Sequence, residues 1–331
     1  MNGRLAIGRT MALTLDDLFA SPDHYLHSFE GDAALFMPMD RAAYHRSIFL
    51  DGRISPAAPR SMKLPVGALL SAARPPEPTG WIFHIAHCGS TLLARALDRP
   101  DANLVLREPL ALRQLALNPH AEALALAAAM LSKRYREDAP TIVKANVPVN
   151  FILPELAALD PDARAIFLHY GLRDYLLAIL RNENHRAWLK SVTTQLAPHL
   201  GDLSGLADAE RAAALWFAQM RAFAAAIERL PFARSLDAEC FFKEPARLLS
   251  LVADHLQAPM TPEAIDVVVA GPLFSTYSKN PDEPFDNAAR VARRDALEQS
   301  LTAELDQAQV WIAARRDETD AALAVIAAAA V

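Results

Sequence analysis

Cysteine is nearly absent from this chain: 331 residues hold two, Cys88 and Cys240. Neither stands in a CxxC pair or a Cys/His cluster, so the pattern offers neither a disulfide framework nor a structural zinc site, and no metal is expected. Glycine is scarce at 11 residues, and aromatics make up only 7%. Hydrophobic content still reaches 52%, largely through alanine and leucine, a composition that favours helix over an all-β build. An excess of positive charge is also missing. The formal charge is −6, which excludes a broad cationic surface for nucleic acid and requires any anionic ligand to be held by a local pocket. Long apolar runs are lacking as well. The most apolar stretches, 121–131 and 321–331, reach about half of the length a membrane-spanning helix needs and read as alanine-rich amphipathic helices. The N-terminal residues show no sustained apolar region ahead of a small-residue cleavage site, and Asp16 and Asp17 interrupt them early. A cytoplasmic protein without a membrane partner is the expectation.

What is present is an alternation of apolar strands and amphipathic helices. Residues 1–60 mix short helical patterns such as Leu13 to Leu18 with a stretch, Tyr44 to Asp51, that suits helix or strand equally. The proline-rich stretch Pro56 to Pro78 reads as an irregular connector and as the domain boundary, leaving 1–75 as an extension that packs on a core of 76–331. Gly80 to Ala86 is almost wholly apolar and suits a strand buried on both faces of a parallel sheet. Further strands are expected at 103–107, 141–144, 165–169 and 234–237. Helices are expected near 110–135, 148–159, 172–190, 207–229, 244–257, 261–270 and 285–316. This is the pattern of an α/β fold with a doubly wound, mostly parallel sheet flanked by many helices.

The first strand runs directly into a helix through His87-Cys88-Gly89, with Ser90-Thr91-Leu92-Leu93 behind. A glycine at such a turn lets successive backbone N–H groups converge, and the helix N-terminus adds partial positive charge, so the turn suits a phosphate. Ser90 and Thr91 add hydroxyl donors there, and both are also ordinary helix starters. The Walker A spacing is not met: its first glycine falls at His84 and its lysine at Ser90. A magnesium-dependent kinase is thereby the weaker reading.

The segment Cys88-Gly89-Ser90-Thr91-Leu92-Leu93-Ala94-Arg95-Ala96-Leu97 resembles the loop and helix of the P-loop sulfotransferases, particularly bacterial sulfotransferase-like proteins. Weaker likenesses extend over about residues 80–295, at 106–110, 144–156, 166–181, 236–256 and 274–290. The resemblance implies a P-loop NTPase-like fold and a sulfuryl donor, 3′-phosphoadenosine-5′-phosphosulfate, cradled at its 5′-phosphosulfate end without magnesium. The acceptor would be a hydroxyl or amine of a small molecule or glycan. The chain departs from the family at His87, where better-known members carry lysine or arginine. It also departs at 170–178, where their Arg-Asp-Pro-x-Asp-x-x-x-Ser unit for the 3′-phosphate becomes Tyr170-Gly171-Leu172-Arg173-Asp174 and then Ala178. A nucleotide-binding protein without transferase activity, or a kinase-like phosphotransferase, are the alternatives.

Candidate residues follow. The backbone and side chains of His87, Cys88, Gly89, Ser90 and Thr91 would hold the donor, His87 as a protonated group. Arg173 and Arg181 could replace the missing arginine, and Lys279 and Arg290 lie in a late loop placed to close over the nucleotide. Glu108 follows a strand near its carboxyl end, where open sheets bind ligands, and is a candidate base; an ion pair with Arg107 or a helix-start carboxylate is the plain alternative. His169 is a second candidate, a buried histidine the plain one. Lys144, at a strand end, suits an acceptor contact or a structural ion pair.

Overall fold

The computed structural model describes residues 13–277, 280–285 and 287–331. A short helix, Leu15–Ala20, leads into an antiparallel three-stranded sheet of His24–Glu30 (β1), Ala33–Pro38 (β2) and Met62–Pro65 (β3), in spatial order β1-β2-β3. Gly31 makes the β1–β2 turn possible: its φ of +59° lies in the left-handed region that a two-residue hairpin connection demands. The ambiguous stretch resolves as a helix, Arg41–Arg46, followed by irregular chain. The proline-rich connector contains β3 and a helix, Val66–Ser71, so it is less irregular than its composition suggests.

The main sheet has five strands, all parallel: Thr79–His84 (β4), Val105–Arg107 (β5), Thr141–Lys144 (β6), Arg164–His169 (β7) and Ala233–Asp237 (β8), in order β5-β6-β4-β7-β8. Every residue of β4 is buried, as a central strand covered on both faces requires. Trp81 and Phe83 stand on one face two residues apart, and Phe83 pairs in register with Phe167 of β7. Their rings stack at 5.6 and 5.3 Å, and Phe223 of the long helix Asp208–Arg229 closes on Phe167 at 5.0 Å. This aromatic ladder fixes β4 against β7.

Several expected helices are broken. The 110–135 pattern becomes Leu110–Leu117 and Ala121–Leu131, because Pro119 cannot continue the first helix. The 148–159 pattern opens with a 3₁₀ segment, Val147–Phe151. The 172–190 pattern divides into Leu172–Ile179 and Glu183–Gln195, with Asn182 capping the second through His185 N. The C-terminal pattern is three helices, Asn287–Ser300, Thr302–Ala313 and Arg316–Ala328.

A buried arginine ties the first 60 residues to the main sheet. Arg107, 1% exposed, pairs with Asp98 at 2.7 Å and donates to the carbonyls of Tyr44 and Ser47, capping the C-terminal end of helix Arg41–Arg46. Burial alone would raise the Asp98 pKa; His45 and Arg107 more than offset it and hold the carboxyl below its usual range.

Candidate functional site

The connection from β4 goes outward to one side of the sheet, past β6 to β5, and that from β7 goes to the other side, to β8. Ligands of open α/β sheets bind at such a reversal, outside the carboxyl ends of the strands. Here the reversal coincides with the glycine turn. His87 and Gly89 take φ of +63° and +83°, and the helix Ser90–Leu97 begins with Gly89 as its N-cap. For His87 that conformation costs about 1–2 kcal/mol, which glycine escapes.

A glycine N-cap supplies no side-chain acceptor, so the first-turn amides are left over. Leu93 N–H is the first to bond back, to Gly89 O at 3.1 Å. The amides of Gly89, Ser90, Thr91 and Leu92 find no acceptor among the described residues. Thr91 Oγ1 is buried with no hydrogen-bond partner there, on a residue only 1% exposed. Four amide donors and one hydroxyl thus converge, unspent, at a positively polarised helix end.

Gly89, Ser90, Thr91 and Leu92 line a cavity of about 340 Å³. From the β7 side it is lined by Tyr170, Asp174, Ala178, Arg181 and His185; from the β8 side by Glu239 and Phe242; and from the late segment by Phe285, Arg290, Arg293 and Arg294. Phe242 lies directly behind the turn, and a Cβ at Gly89 would come within 2.7 Å of its ring. Arg290 lies 4.3 Å above that ring and donates both guanidinium nitrogens to Glu239, with Arg294 joining the same carboxylate at 3.0 Å. Burial would raise the Glu239 pKa, and the two arginines more than offset it, so it stays ionised. Asp174 is raised, first by burial and then by the neighbouring Glu239 charge. Burial likewise pushes the Tyr170 phenol far up, so it stays neutral.

His87 also lines this cavity. Its ring stacks on that of His185 at 3.8 Å and 17°, and meets the edge of Trp188 at 5.9 Å. His185 Nδ1 lies 2.7 Å from Ala178 O, and its Nε2 lies 3.1 Å from Arg181 Nη2.

The other candidates are placed elsewhere. Arg173 does not line the cavity and pairs with Glu298 and Asp174. The Cys88 thiol is wholly buried and donates to Ile85 O at 3.0 Å, so only its backbone borders the turn. Glu108 and Lys144 meet as an ion pair at the ends of β5 and β6, with His84 Nε2 4.0 Å from the same carboxylate oxygen. Glu108 therefore pairs with Lys144 rather than Arg107, and holds a φ of +56° while doing so. None of these three side chains lines the cavity beside the turn. His169 does not line it either; burial lowers its pKa, and its Nδ1 has no partner among the described residues. Lys279 lies outside the described residues. His185, Glu239 and Phe242 are not among the residues expected from the sequence; they lie 93 or more positions beyond Leu92 and reach the turn only through the fold.

Two solved structures are similar to this chain. One is a sulfotransferase domain from the curacin biosynthetic pathway, at 15% identity and a TM-score of 0.38, covering 58% of this chain and 77% of its own. The other is a sulfotransferase from Alicyclobacillus acidocaldarius, at 13% identity and a TM-score of 0.39, covering 72% of this chain and 95% of its own. No protein-family model matches the sequence, and no curated protein does. Function is accordingly read from the residues around the turn. Among the described residues no helix is long and apolar enough to cross a membrane, and no group of three or more His, Cys, Asp or Glu could hold a metal.

Proposed function

We propose that this protein is a sulfotransferase-like enzyme that binds a phosphosulfate nucleotide over the 87–92 turn and passes its sulfuryl group to a hydroxyl or amine of a small molecule or glycan. One observation carries the reading: four amides and the buried Thr91 hydroxyl, without a partner among the described residues, sit at a helix N-terminus whose first residues line a cavity together with several arginines. A buried unsatisfied hydroxyl costs stability, and an anion seated on the turn would satisfy it. The Ser90-Thr91 hydroxyls fit the 5′-phosphosulfate end of 3′-phosphoadenosine-5′-phosphosulfate. At the positions that match the family's 3′-phosphate unit this chain has other groups: Tyr170 is buried, Ala178 is apolar, and Arg173 pairs with Glu298. On that side Arg181 lines the cavity wall, and from the late segment Arg290 lies over Phe242. Such a donor supplies a sulfuryl group that is nearly planar in transit, so the chain's task is to hold oxygens and spread charge.

A second reading, a nucleotide-binding protein without transfer activity, draws on the Arg290–Glu239–Arg294 cluster. There an internal carboxylate already engages the cations that would meet the ligand. Thermal shift with adenosine 3′,5′-bisphosphate, inorganic sulfate, and ATP with magnesium separates the possibilities, since a ligand of the folded state raises the melting temperature. Stabilisation by the bisphosphate with sulfuryl turnover supports the first reading, and stabilisation without turnover the second. Stabilisation only by magnesium-ATP would replace both with a phosphotransferase.

A further inference from the structure

Asp174 and Glu239 line the cavity beside the turn, and the chain holds these two carboxylates close together. Asp174 comes from the helix after β7, and Glu239 from the short helix Ala238–Lys243 after β8. Nη1 of Arg294 lies 3.5 Å from Asp174 Oδ1 and 3.0 Å from Glu239 Oε2, so one guanidinium bridges them. Arg290 is engaged by the protein at every nitrogen. Its Nη1 and Nη2 donate to Glu239 at 2.5 and 2.9 Å, its Nε donates to Asn287 Oδ1 at 2.9 Å, and its face rests on Phe242 at 4.3 Å. Glu239 thereby takes up both Arg290 and Arg294. Asp174 is differently placed: Arg173 and Arg294 approach its Oδ1, and among the described residues nothing hydrogen-bonds its Oδ2.

A carboxylate can only accept, so it suits a hydroxyl, which donates, and repels a phosphate, which is itself a negatively charged acceptor. Dinucleotide-binding sheets use the same contrast, with an acidic residue for a free ribose hydroxyl and an arginine for a ribose phosphate. The pKa of Asp174 is raised by burial and then by the Glu239 charge, so a ribose phosphate on this wall would add to a repulsion already present. The turn fixes where the ligand's 5′ end goes. Thr91 lines the same cavity, 1% exposed and with no partner for its hydroxyl among the described residues. With phosphate oxygens at the turn, the sugar lies along the rest of the lining, which includes Asp174 and Glu239.

We propose that the nucleotide this cavity selects has free ribose hydroxyls. Asp174 is then a specificity-determining residue that accepts from a ribose hydroxyl, and Glu239 a second one that keeps Arg290 and Arg294 from a ribose phosphate. The inference deepens the nucleotide reading above and rests on it. It makes the sulfuryl donor a nucleoside 5′-phosphosulfate and the product a nucleoside 5′-phosphate. In the transfer the acceptor oxygen bonds to sulfur as the bond from sulfur to the bridging phosphate oxygen breaks. The leaving nucleoside 5′-phosphate keeps that oxygen and its electron pair, and the acceptor's proton passes to water. Selection of this kind is a difference between two affinities, so a 3′,5′-bisphosphate still seats on the turn but more weakly.

Calorimetry on the full chain tests this with adenosine 5′-phosphate, adenosine 3′,5′-bisphosphate and 2′,3′-dideoxyadenosine 5′-phosphate. Wild type should bind adenosine 5′-phosphate about tenfold more tightly than either of the others, the worth of a hydrogen bond to a charged group. Asp174→Ala should bind adenosine 5′-phosphate and its dideoxy analogue equally. Glu239→Gln should raise bisphosphate affinity about fivefold or more, by releasing two guanidinium groups, and leave adenosine 5′-phosphate within about twofold. If a variant fails to fold, the wild-type series decides. A bisphosphate or a dideoxy analogue that binds wild type as tightly as adenosine 5′-phosphate overturns the inference. Saturable binding by none of the three overturns the inference and the nucleotide reading together. Turnover assays separate the remaining cases. Sulfuryl transfer with a preference for the bisphosphate defeats the inference alone, whereas the expected ranking without transfer from adenosine 5′-phosphosulfate defeats the transferase reading and leaves the selection standing.

Discussion

Thr91 keeps a hydroxyl buried with nothing described to bond it, a cost of about 1–3 kcal/mol for a group withdrawn from water. Valine has nearly the same shape without the hydroxyl. Thr91→Val should therefore raise the unfolding free energy of the free protein by about 1 kcal/mol while weakening adenosine 3′,5′-bisphosphate by about tenfold, the worth of a hydrogen bond to a charged group. Denaturant unfolding and calorimetry read the two quantities separately. A variant that loses stability and binds unchanged would mean that the hydroxyl serves the fold. Residue by residue, the turn itself was the legible part of the site: a glycine between an apolar strand and an amphipathic helix carries its own conformational signature. His185 and Glu239 were not legible, because nothing in their local sequence distinguishes them from ordinary helix-surface residues. Only the break at 180–182 turns His185 back onto His87.

At the level of elements, the β4–turn–helix unit depends on Gly89 twice, through its φ of +83° and through the ring of Phe242 behind it. Gly89→Ala must strain the backbone and displace a ring that Arg290 covers, at a cost of about 2 kcal/mol or more. It should also spoil the convergence of the amides, so that bisphosphate affinity falls by more than stability alone explains at temperatures where the variant is folded. Calorimetry at such a temperature checks this; unchanged affinity would separate the turn from binding. The five parallel strands were readable as apolar runs between helical patterns, because strands buried on both faces leave that trace. Helix breaks at Pro119 and before Asn182 were not, since 3.6-residue periodicity continues across a short interruption. The β1–β2 hairpin was missed too, although Gly31-Asp32 is the dipeptide type such turns use.

Across the whole molecule, the N-terminal strands are held by buried polar anchors as well as by apolar packing. Lys133 is buried and donates to the carbonyls of Leu18, at 3.0 Å, and His24. Burial lowers its pKa to about 7, with Asp23 partly opposing. In the unfolded chain it titrates near ~10.4. Between these values the unfolded state binds the extra proton, so the charge penalty is full below about pH 7 and fades as pH rises toward the unfolded value. Wild-type stability, measured against Lys133→Met to cancel other titrations, should climb between those limits; a flat difference would show that the buried amine stays charged. The overall charge of −6 gives no help in gathering an anion, so recognition must come from the turn and the arginines above it.

That dependence is most directly examined by following backbone amides in ¹H–¹⁵N spectra while adenosine 3′,5′-bisphosphate is added. The amides of Gly89, Ser90, Thr91 and Leu92 should shift downfield together, with a common dissociation constant, as they take up phosphate oxygens. Saturable binding that leaves these four signals in place and moves others would contradict the assignment of the turn as the nucleotide's anchor.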